Sequence, residues 1–157
     1  MASRPTPLDT RVPPPVLVVL LACAMSAASR QWPQAGVALP FGDVLAIAIG
    51  FVGLTLNVLP KRRFSRDGTT VNPMRPERST ALVVDGLHRW SRNPMYVGHA
   101  LILVGMACWW RLWPAMLGPA FYVAYITRFQ IIPEERALSA RFGGAYDAYR
   151  ARVRRWL

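Results

Sequence analysis

The chain contains four apolar segments, separated by polar connections. They cover residues 16–29, 37–59, 95–110 and 112–132 and are rich in Val, Leu, Ile, Ala and Trp. Lipid offers no partner to a backbone amide or carbonyl, so an apolar segment inside a bilayer must be helical. A spanning helix needs about 20 residues, with about 17 as the usual lower limit, which makes the first and third segments short. The pattern predicts one domain, an all-α integral membrane protein with about four transmembrane helices.

The last segment, residues 134–156, has a different pattern. Its apolar residues recur every three or four positions, which is a helical period, and arginines occupy the other face. Gly143 and Gly144 interrupt the period and predict a bend or a break. This pattern predicts an amphipathic C-terminal helical segment that lies on the anionic inner leaflet of the membrane.

The first apolar segment has a second interpretation, as the apolar core of a signal peptide. The stretch Ala-Met-Ser-Ala-Ala-Ser that ends it resembles a cleavage site, and an apolar core of about 7–15 residues suffices for such a signal. The Pro-rich leader PTPLDTRVPPP is a poor N-terminal region for a signal peptide. This leader favours a membrane span.

Composition supports membrane insertion and adds an asymmetry of charge. The 157 residues are 53% hydrophobic and 17% charged, with 19 Lys and Arg against 8 Asp and Glu. The basic residues cluster between the second and third segments and after the fourth, and only Arg30 and Arg111 lie in the other two connections. By the positive-inside rule, both termini and the middle loop are cytoplasmic. The richness in Arg and Ala favours a bacterial inner membrane.

Topology accounts for the basic charge, so nucleic acid is not predicted as a partner. The chain lacks a recognised nucleic-acid-binding motif and aromatic residues interleaved with its basic clusters. Cys23 and Cys108 lie inside apolar runs, away from any spacing that suits a metal ion. Neither a metal site nor a disulfide is predicted, and the expected partners are membrane lipids and a lipophilic substrate.

A polar cluster stands directly before the third apolar segment. Asn93 and Pro94 fit the N-cap and the first position of a helix, which is a purely structural explanation. Tyr96 and His99 lie three residues apart and share one helix face near its cytoplasmic start. Ionisable groups at membrane depth are functional candidates, although His99 also fits a hydrogen-bonded residue packed between helices.

Two adjacent acids, Glu134 and Glu135, follow Pro133 at the start of the amphipathic segment. Acids in the first turn stabilise a helix by about 0.3–1 kcal/mol each, so helix initiation explains their type. An amphipathic helix on the membrane surface does not by itself require two acids within an Arg-rich segment. Both glutamates are therefore also functional candidates.

Residues 92–98 read RNPMYVG, and one apolar hairpin later residues 134–149 read EERALSARFGGAYDAY. The two motifs, in this order, resemble the membrane methyltransferases, a family that includes isoprenylcysteine carboxyl methyltransferases and phospholipid N-methyltransferases. The resemblance extends from about Phe64 to Trp156. The carboxyl methyltransferases usually carry His where this chain has Asn93, so the class of substrate stays open.

The resemblance implies an S-adenosylmethionine site at the cytoplasmic membrane face, where a lipophilic acceptor arrives from the bilayer. The residues that it implies for the cofactor are Arg92, Asn93, Pro94, Tyr96, Gly98, Glu134 and Glu135. Glu135 and Arg141 are the catalytic candidates, and His99 and Arg141 are the candidates for contacting the substrate. Arg141 would orient a carboxylate acceptor, whereas a glutamate would accept the proton of an amine. The acceptor, a carboxylate, an amine or a thiol, and the oligomeric state stay open.

Two other functions compete with methyl transfer. One is an NADPH-dependent membrane reductase of the sterol type, which resembles this family near the C-terminal end but usually has more transmembrane helices. The other is a non-enzymatic lipid-binding membrane protein, in which the polar motifs are only helix caps and arginines that reach the headgroups. Cofactor titration distinguishes all three.

Overall fold

The computed structural model describes residues 9–33, 36, 38, 40–66 and 82–157, with the backbone alone for residues 61–66. The described residues form helices and, apart from one bridge between Gly36 and Leu112, no β-structure, which confirms the all-helical prediction for this part of the chain. The helices are α1 (Pro14–Gln31), α2 (Gly42–Arg66), α3 (Pro94–Trp110), α4 (Leu117–Ile126), α5 (Ile132–Phe142) and α6 (Gly144–Arg152). Short 3-10 turns cover Gly86–Arg89 and Trp113–Met116, and a π turn at Thr127–Ile131 joins α4 to α5.

Two of the described helices are long and apolar enough to cross a membrane. They are Pro14–Gln31 and Gly42–Pro60, with mean hydropathy of 1.3 and 1.9. α3 is also apolar but has 17 residues, or about 26 Å at roughly 1.5 Å per residue. These two helices are candidate spans by length and composition, and the four crossings stay a prediction.

α1 and α3 begin and end close to the predicted segments, whereas α2 begins five residues later and ends seven residues later than predicted. α1 extends two residues beyond the prediction at each end and has Pro14 in its first turn, where a missing N–H is harmless. α2 begins at Gly42, after a turn in which Phe41 has a φ of 55°, and continues beyond residue 59 to Arg66. The predicted start of this segment at Val37 and the part of the basic loop from residue 67 to 81 lie outside the described residues.

The fourth predicted segment, 112–132, is not one continuous α-helix. It contains the turn at Trp113–Met116, then α4, then the π turn, which continues without a gap into α5. Pro133 has no amide hydrogen to donate to the carbonyl of Phe129, four residues earlier, and the helix widens just before it. The Phe129 carbonyl instead accepts the N–H of Thr10, at 2.8 Å. The predicted amphipathic segment thus continues the fourth helical segment and breaks at Gly143, whose φ is 50°.

α2 and α3 pack through small residues. A Cβ added at Gly98 would lie 2.5 Å from the Gly53 carbonyl oxygen, and one at Gly105 would lie 2.9 Å from the Ala46 carbonyl oxygen. Only glycine permits this approach of two backbones, which is a common device between membrane helices. The seam fixes the start of α3 against α2.

The two ends of the helical bundle differ. At one end the Gly36–Leu112 bridge and a bidentate pair between Arg111 and Asp43, with both distances 2.9 Å, join the α1–α2 connection to the end of α3. At the other end the backbone N–H of Arg92 donates to the carbonyl of Arg154, at 3.0 Å. The chain after α6 therefore returns to the start of α3, where the polar residues gather.

Candidate functional site

The start of α3 and the start of α5 meet at this second end. The Tyr96 hydroxyl donates to Glu134 Oε1 at 2.6 Å, and Arg92 Nη2 lies 3.1 Å from Glu135 Oε1. Four residues from the two sequence motifs, 38 or more positions apart along the chain, thus form one cluster. The structure brings together the two polar groups that the sequence analysis singled out.

Glu135 is held by two arginines. Arg155 makes a bidentate contact, Nε to Oε1 at 3.0 Å and Nη2 to Oε2 at 2.7 Å, and Arg92 adds the third contact. Glu135 is only 8% exposed, and a buried charge is tolerated when it is paired and hydrogen-bonded. The hydrogen bond that Arg155 donates to Glu135 in turn raises the pKa of Arg155. Glu135 therefore ties α5 to α3 and to the C-terminal segment.

Glu134 has different partners, although it is the adjacent residue. Both donors to its Oε1 are uncharged: the Tyr96 hydroxyl and the side-chain amide of Gln130, each at 2.6 Å. The pKa of Glu134 is raised to about 7, mainly by burial; the two hydrogen bonds oppose this shift, and the charge of Glu135 adds to it. Glu134 is a half-buried acid without an arginine partner among the described residues, so a bound cation would stabilise its charge.

Arg92 has an unused donor. Its Nη1 approaches the Tyr146 hydroxyl at 3.5 Å and its Nη2 pairs with Glu135, but within the described chain its buried Nε has no hydrogen-bond partner. The Arg92 side chain is 9% exposed. A buried N–H without a partner is costly, which makes it a suitable donor for a bound anion.

A cavity of about 120 Å³ lies among these groups. Its lining includes both glutamates, Arg92, Asn93, Tyr146 and Tyr149. A larger cavity of about 530 Å³, lined mainly by apolar residues at the end of α2 and by the turn from Asp85 to Trp90, adjoins it through Val83 and His88. The lining of the smaller cavity is more polar than that of the larger one, which is mostly apolar. The larger volume falls within the roughly 300–1,000 Å³ of typical ligand pockets.

Asn93, Pro94 and Gly98 have structural roles in the described chain. Asn93 precedes α3, but its side chain does not cap the helix; its Nδ2 donates to the carbonyl of Arg155 at 3.0 Å. Pro94 is the first helical residue, as its fixed φ favours. Gly98 contacts α2 at the glycine seam. A cofactor contact for these three residues stays a prediction.

The two candidates for substrate contact lie away from the cluster. His99 is buried between helices, with Nε2 2.7 Å from Asn57 Nδ2 and Nδ1 2.9 Å from the Tyr122 hydroxyl. Arg141 is exposed near the end of α5, its guanidinium 5.9 Å from the centre of the Phe142 ring, and it lines neither cavity. The structure supports the packed interpretation of His99, and it does not bring Arg141 to the two glutamates.

Sequence analysis missed Arg155 and Gln130. Gln130 precedes Glu134 by four positions, a spacing that brings two side chains together on one helix face, so this pair had a detectable signal. Arg155 had no such signal, because every C-terminal arginine was equally explained by topology. Its role depends on the return of the chain after α6.

A family model covers the four residues of the cluster that come from the two sequence motifs, although Arg155 lies outside its match. The family model described as phospholipid methyltransferase matches residues 41–145. The chain is also 40% identical over 63 residues to an uncharacterized protein of Haemophilus influenzae, in an alignment that covers 40% of this chain and all of that protein. No solved structure matches the chain.

Proposed function

The chain belongs to the phospholipid methyltransferase family, and we propose that it transfers a methyl group from S-adenosylmethionine to a lipophilic acceptor at the cytoplasmic membrane face. The observation that carries this proposal is the contrast between two residues. Glu134 is a carboxylic acid with uncharged hydrogen-bond donors, and Arg92 is a cation whose buried Nε–H has no partner among the described residues. Together they offer one site for a cation and one for an anion.

The residues fit this methyl donor. S-adenosylmethionine carries a sulfonium, an ammonium and a carboxylate, and each loses hydration in a pocket that borders lipid. Glu134 suits the positive groups and Arg92 Nε suits the carboxylate. Tyr146 and Tyr149 line the same cavity. The Tyr149 hydroxyl donates to the His88 carbonyl at 2.8 Å, so its oxygen suits a donor such as a ribose hydroxyl. Among the described residues, Arg92 and Arg155 balance the formal charge of the two glutamates.

This arrangement assigns the two glutamates different roles. Glu135 uses both oxygens on arginines and holds Arg92 in place, so it is a positioning residue. Glu134 is the residue that we propose to contact the donor. The sequence analysis gave the catalytic role to Glu135 and Arg141, and the geometry favours Glu134 over both.

The donor supplies an electrophilic methyl group and leaves as a neutral thioether, so the chain needs no acid for the leaving group. Its residues bind both reactants, orient them and exclude water. Correct orientation alone is worth about 7–11 kcal/mol of the barrier. The smaller cavity, at about 120 Å³, is below the roughly 300–1,000 Å³ of typical ligand pockets, so the donor has to extend into the adjoining cavity of about 530 Å³. The apolar lining of that cavity, with Leu59, Leu87 and Trp90, suits the acceptor. A carboxylate, an amine and a thiol are all compatible with it.

The membrane arrangement that we propose has four crossings, with both termini and the cluster in the cytoplasm of a bacterial cell. α3 and the α4 region provide the two shorter crossings. The clustering of basic residues before α3 and after α4 supports this orientation. The acceptor and membrane lipids are then the expected partners.

The test is titration of the purified protein, in lipid nanodiscs, with S-adenosylmethionine and separately with NADPH. We expect the wild-type protein to bind S-adenosylmethionine and Glu134→Gln to bind it at least about tenfold more weakly, because a hydrogen bond to a charged group is worth about 1.5–3 kcal/mol. Asp147→Asn, which removes an exposed acid of α6, is the matched control and should bind normally.

Transfer of labelled methyl groups into a total membrane lipid extract, followed by identification of the product, then defines the acceptor. Binding of NADPH alone would favour the reductase. A protein that binds neither cofactor and labels no lipid would contradict both enzymatic functions.

A further inference from the structure

Asp9 and Thr10 contact the π turn between α4 and α5. Asp9 Oδ2 lies 2.9 Å from Arg136 Nη2 and Asp9 Oδ1 lies 3.6 Å from Arg128 Nη1, while the Thr10 N–H donates to the Phe129 carbonyl at 2.8 Å. The Asp9 side chain is only 13% exposed. Asp9 and Thr10 thus form an ion pair and a backbone hydrogen bond with residues about 120 positions later in the sequence.

The π turn needs these contacts for two reasons. Pro133 leaves the Phe129 carbonyl without its usual helical donor, and a buried carbonyl without a partner is costly. Arg128 lies within the turn and Arg136 lies in α5. Both side chains are positively charged, and both face the Asp9 carboxylate. Asp9 reduces the repulsion between these two arginines, and the Thr10 N–H donates to the Phe129 carbonyl.

The π turn also contains Gln130, which donates a hydrogen bond to Glu134. Gln130 lies inside it, is 2% exposed and donates to Glu134 Oε1 at 2.6 Å. The hydroxyl of Thr127, the first residue of the turn, accepts the indole N–H of Trp156 at 3.2 Å. Any change in the turn therefore moves the donor that orients Glu134.

We propose that Asp9 is a positioning residue for the donor site, which acts by holding the π turn so that Gln130 orients Glu134. This inference rests on the proposed function. Asp9 lies outside residues 41–145, so the family match does not account for it. The alternative is that Asp9 only anchors the chain ahead of α1.

The first experiment measures hydrogen exchange in lipid nanodiscs without any donor. We expect the peptide that covers residues 127–136 to exchange at least about fivefold faster in Asp9→Asn than in the wild type. Asp9→Glu keeps the charge and should restore most of the protection. The matched control is Asp43→Asn, which removes the ion pair with Arg111 at the far end of the bundle and should leave this peptide unchanged. Unchanged exchange in Asp9→Asn would overturn the proposal.

The second experiment is a double-mutant cycle on the affinity for S-adenosylmethionine. We expect Asp9→Asn to weaken binding by about fivefold or more in the wild-type background, and by less than about twofold in the Glu134→Gln background. An equal loss in both backgrounds would overturn the proposal, because a merely structural role does not depend on Glu134. If the wild-type protein binds no donor, the proposed function fails, and the exchange experiment still decides whether Asp9 holds the turn.

Discussion

At the residue scale, the two adjacent glutamates differ in the charge of their partners. Glu135 meets two guanidinium groups, whereas Glu134 meets a hydroxyl and an amide. A buried carboxylate with charged partners is stable as an anion, but one with neutral partners is stable only as an acid or beside a bound cation. The same residue type thus acts as an anchor at one position and as a candidate ligand at the next.

The first prediction concerns pH. The pKa of Glu134 is raised from 4.5 to about 7, so its contribution to folding stability is full below about pH 4.5 and is lost as the pH rises through 7. Wild-type stability relative to Glu134→Gln should therefore fall between pH 5 and 8. A cationic donor needs the ionised form, so wild-type affinity should rise from pH 5.5 to 7.5.

Calorimetric titration and thermal unfolding at these pH values check both trends. Glu134→Gln should bind weakly with little pH dependence, whereas Asp147→Asn should keep the wild-type slope. A pH dependence that persists in Glu134→Gln would assign the titration to another group.

The second prediction concerns Arg155. Arg155→Met removes two charged hydrogen bonds from buried Glu135, and we expect a loss of about 1–3 kcal/mol in unfolding free energy together with weaker donor binding. Arg154→Met is the matched control, because the Arg154 side chain is exposed and its contact with Arg92 uses only the backbone. Equal stability of the two variants, measured by thermal unfolding, would contradict the anchoring role of Arg155.

At the element scale, the glycine seam yields a third prediction. A methyl group at Gly98 would lie 2.5 Å from the Gly53 carbonyl oxygen, so Gly98→Ala should force α2 and α3 apart at a cost of about 1–3 kcal/mol. Gly50→Ala, in α2, is the control, because a Cβ there meets nothing within 4 Å. Thermal unfolding compares the two. Weaker donor binding by Gly98→Ala without loss of stability would instead support a cofactor contact at Gly98.

The sequence predicts those elements whose causes are local. Long apolar runs predict α1, α2 and α3, and Gly143 predicts the break before α6 because its positive φ suits glycine. The sequence does not predict the π turn. Pro133 follows this turn, but a proline is equally common in the first turn of a new helix, so the local sequence does not distinguish the two cases. The family resemblance predicted that the two sequence motifs contribute to one site. The contact of Arg155 with Glu135 was not predictable, because it depends on how the chain after α6 folds back to the start of α3.

At the scale of the whole molecule, the two ends of the bundle carry different groups. The end with Asp43, Arg111 and the Gly36–Leu112 bridge has few charges, whereas the other end holds Arg92, Arg155 and both glutamates. α4 and the π turn together have 15 residues, 117–131, or about 22 Å of helix. The stretch continues without a gap into α5 and is preceded by the turn at Trp113–Met116, so a fourth crossing of the roughly 30 Å bilayer core would have to include residues from both.

The last prediction tests this topology by cysteine labelling. In a background with Cys23→Ala and Cys108→Ala, single cysteines at exposed positions report the side of the membrane: Trp32→Cys after α1, Trp113→Cys after α3 and Asp147→Cys in α6. Four crossings with cytoplasmic termini predict that a membrane-impermeant maleimide labels the first two in intact cells and the third only after lysis. Labelling of Trp32→Cys but not Trp113→Cys would contradict four crossings. It would also contradict the fold, because Arg111 pairs with Asp43 and so places the end of α3 beside the α1–α2 connection.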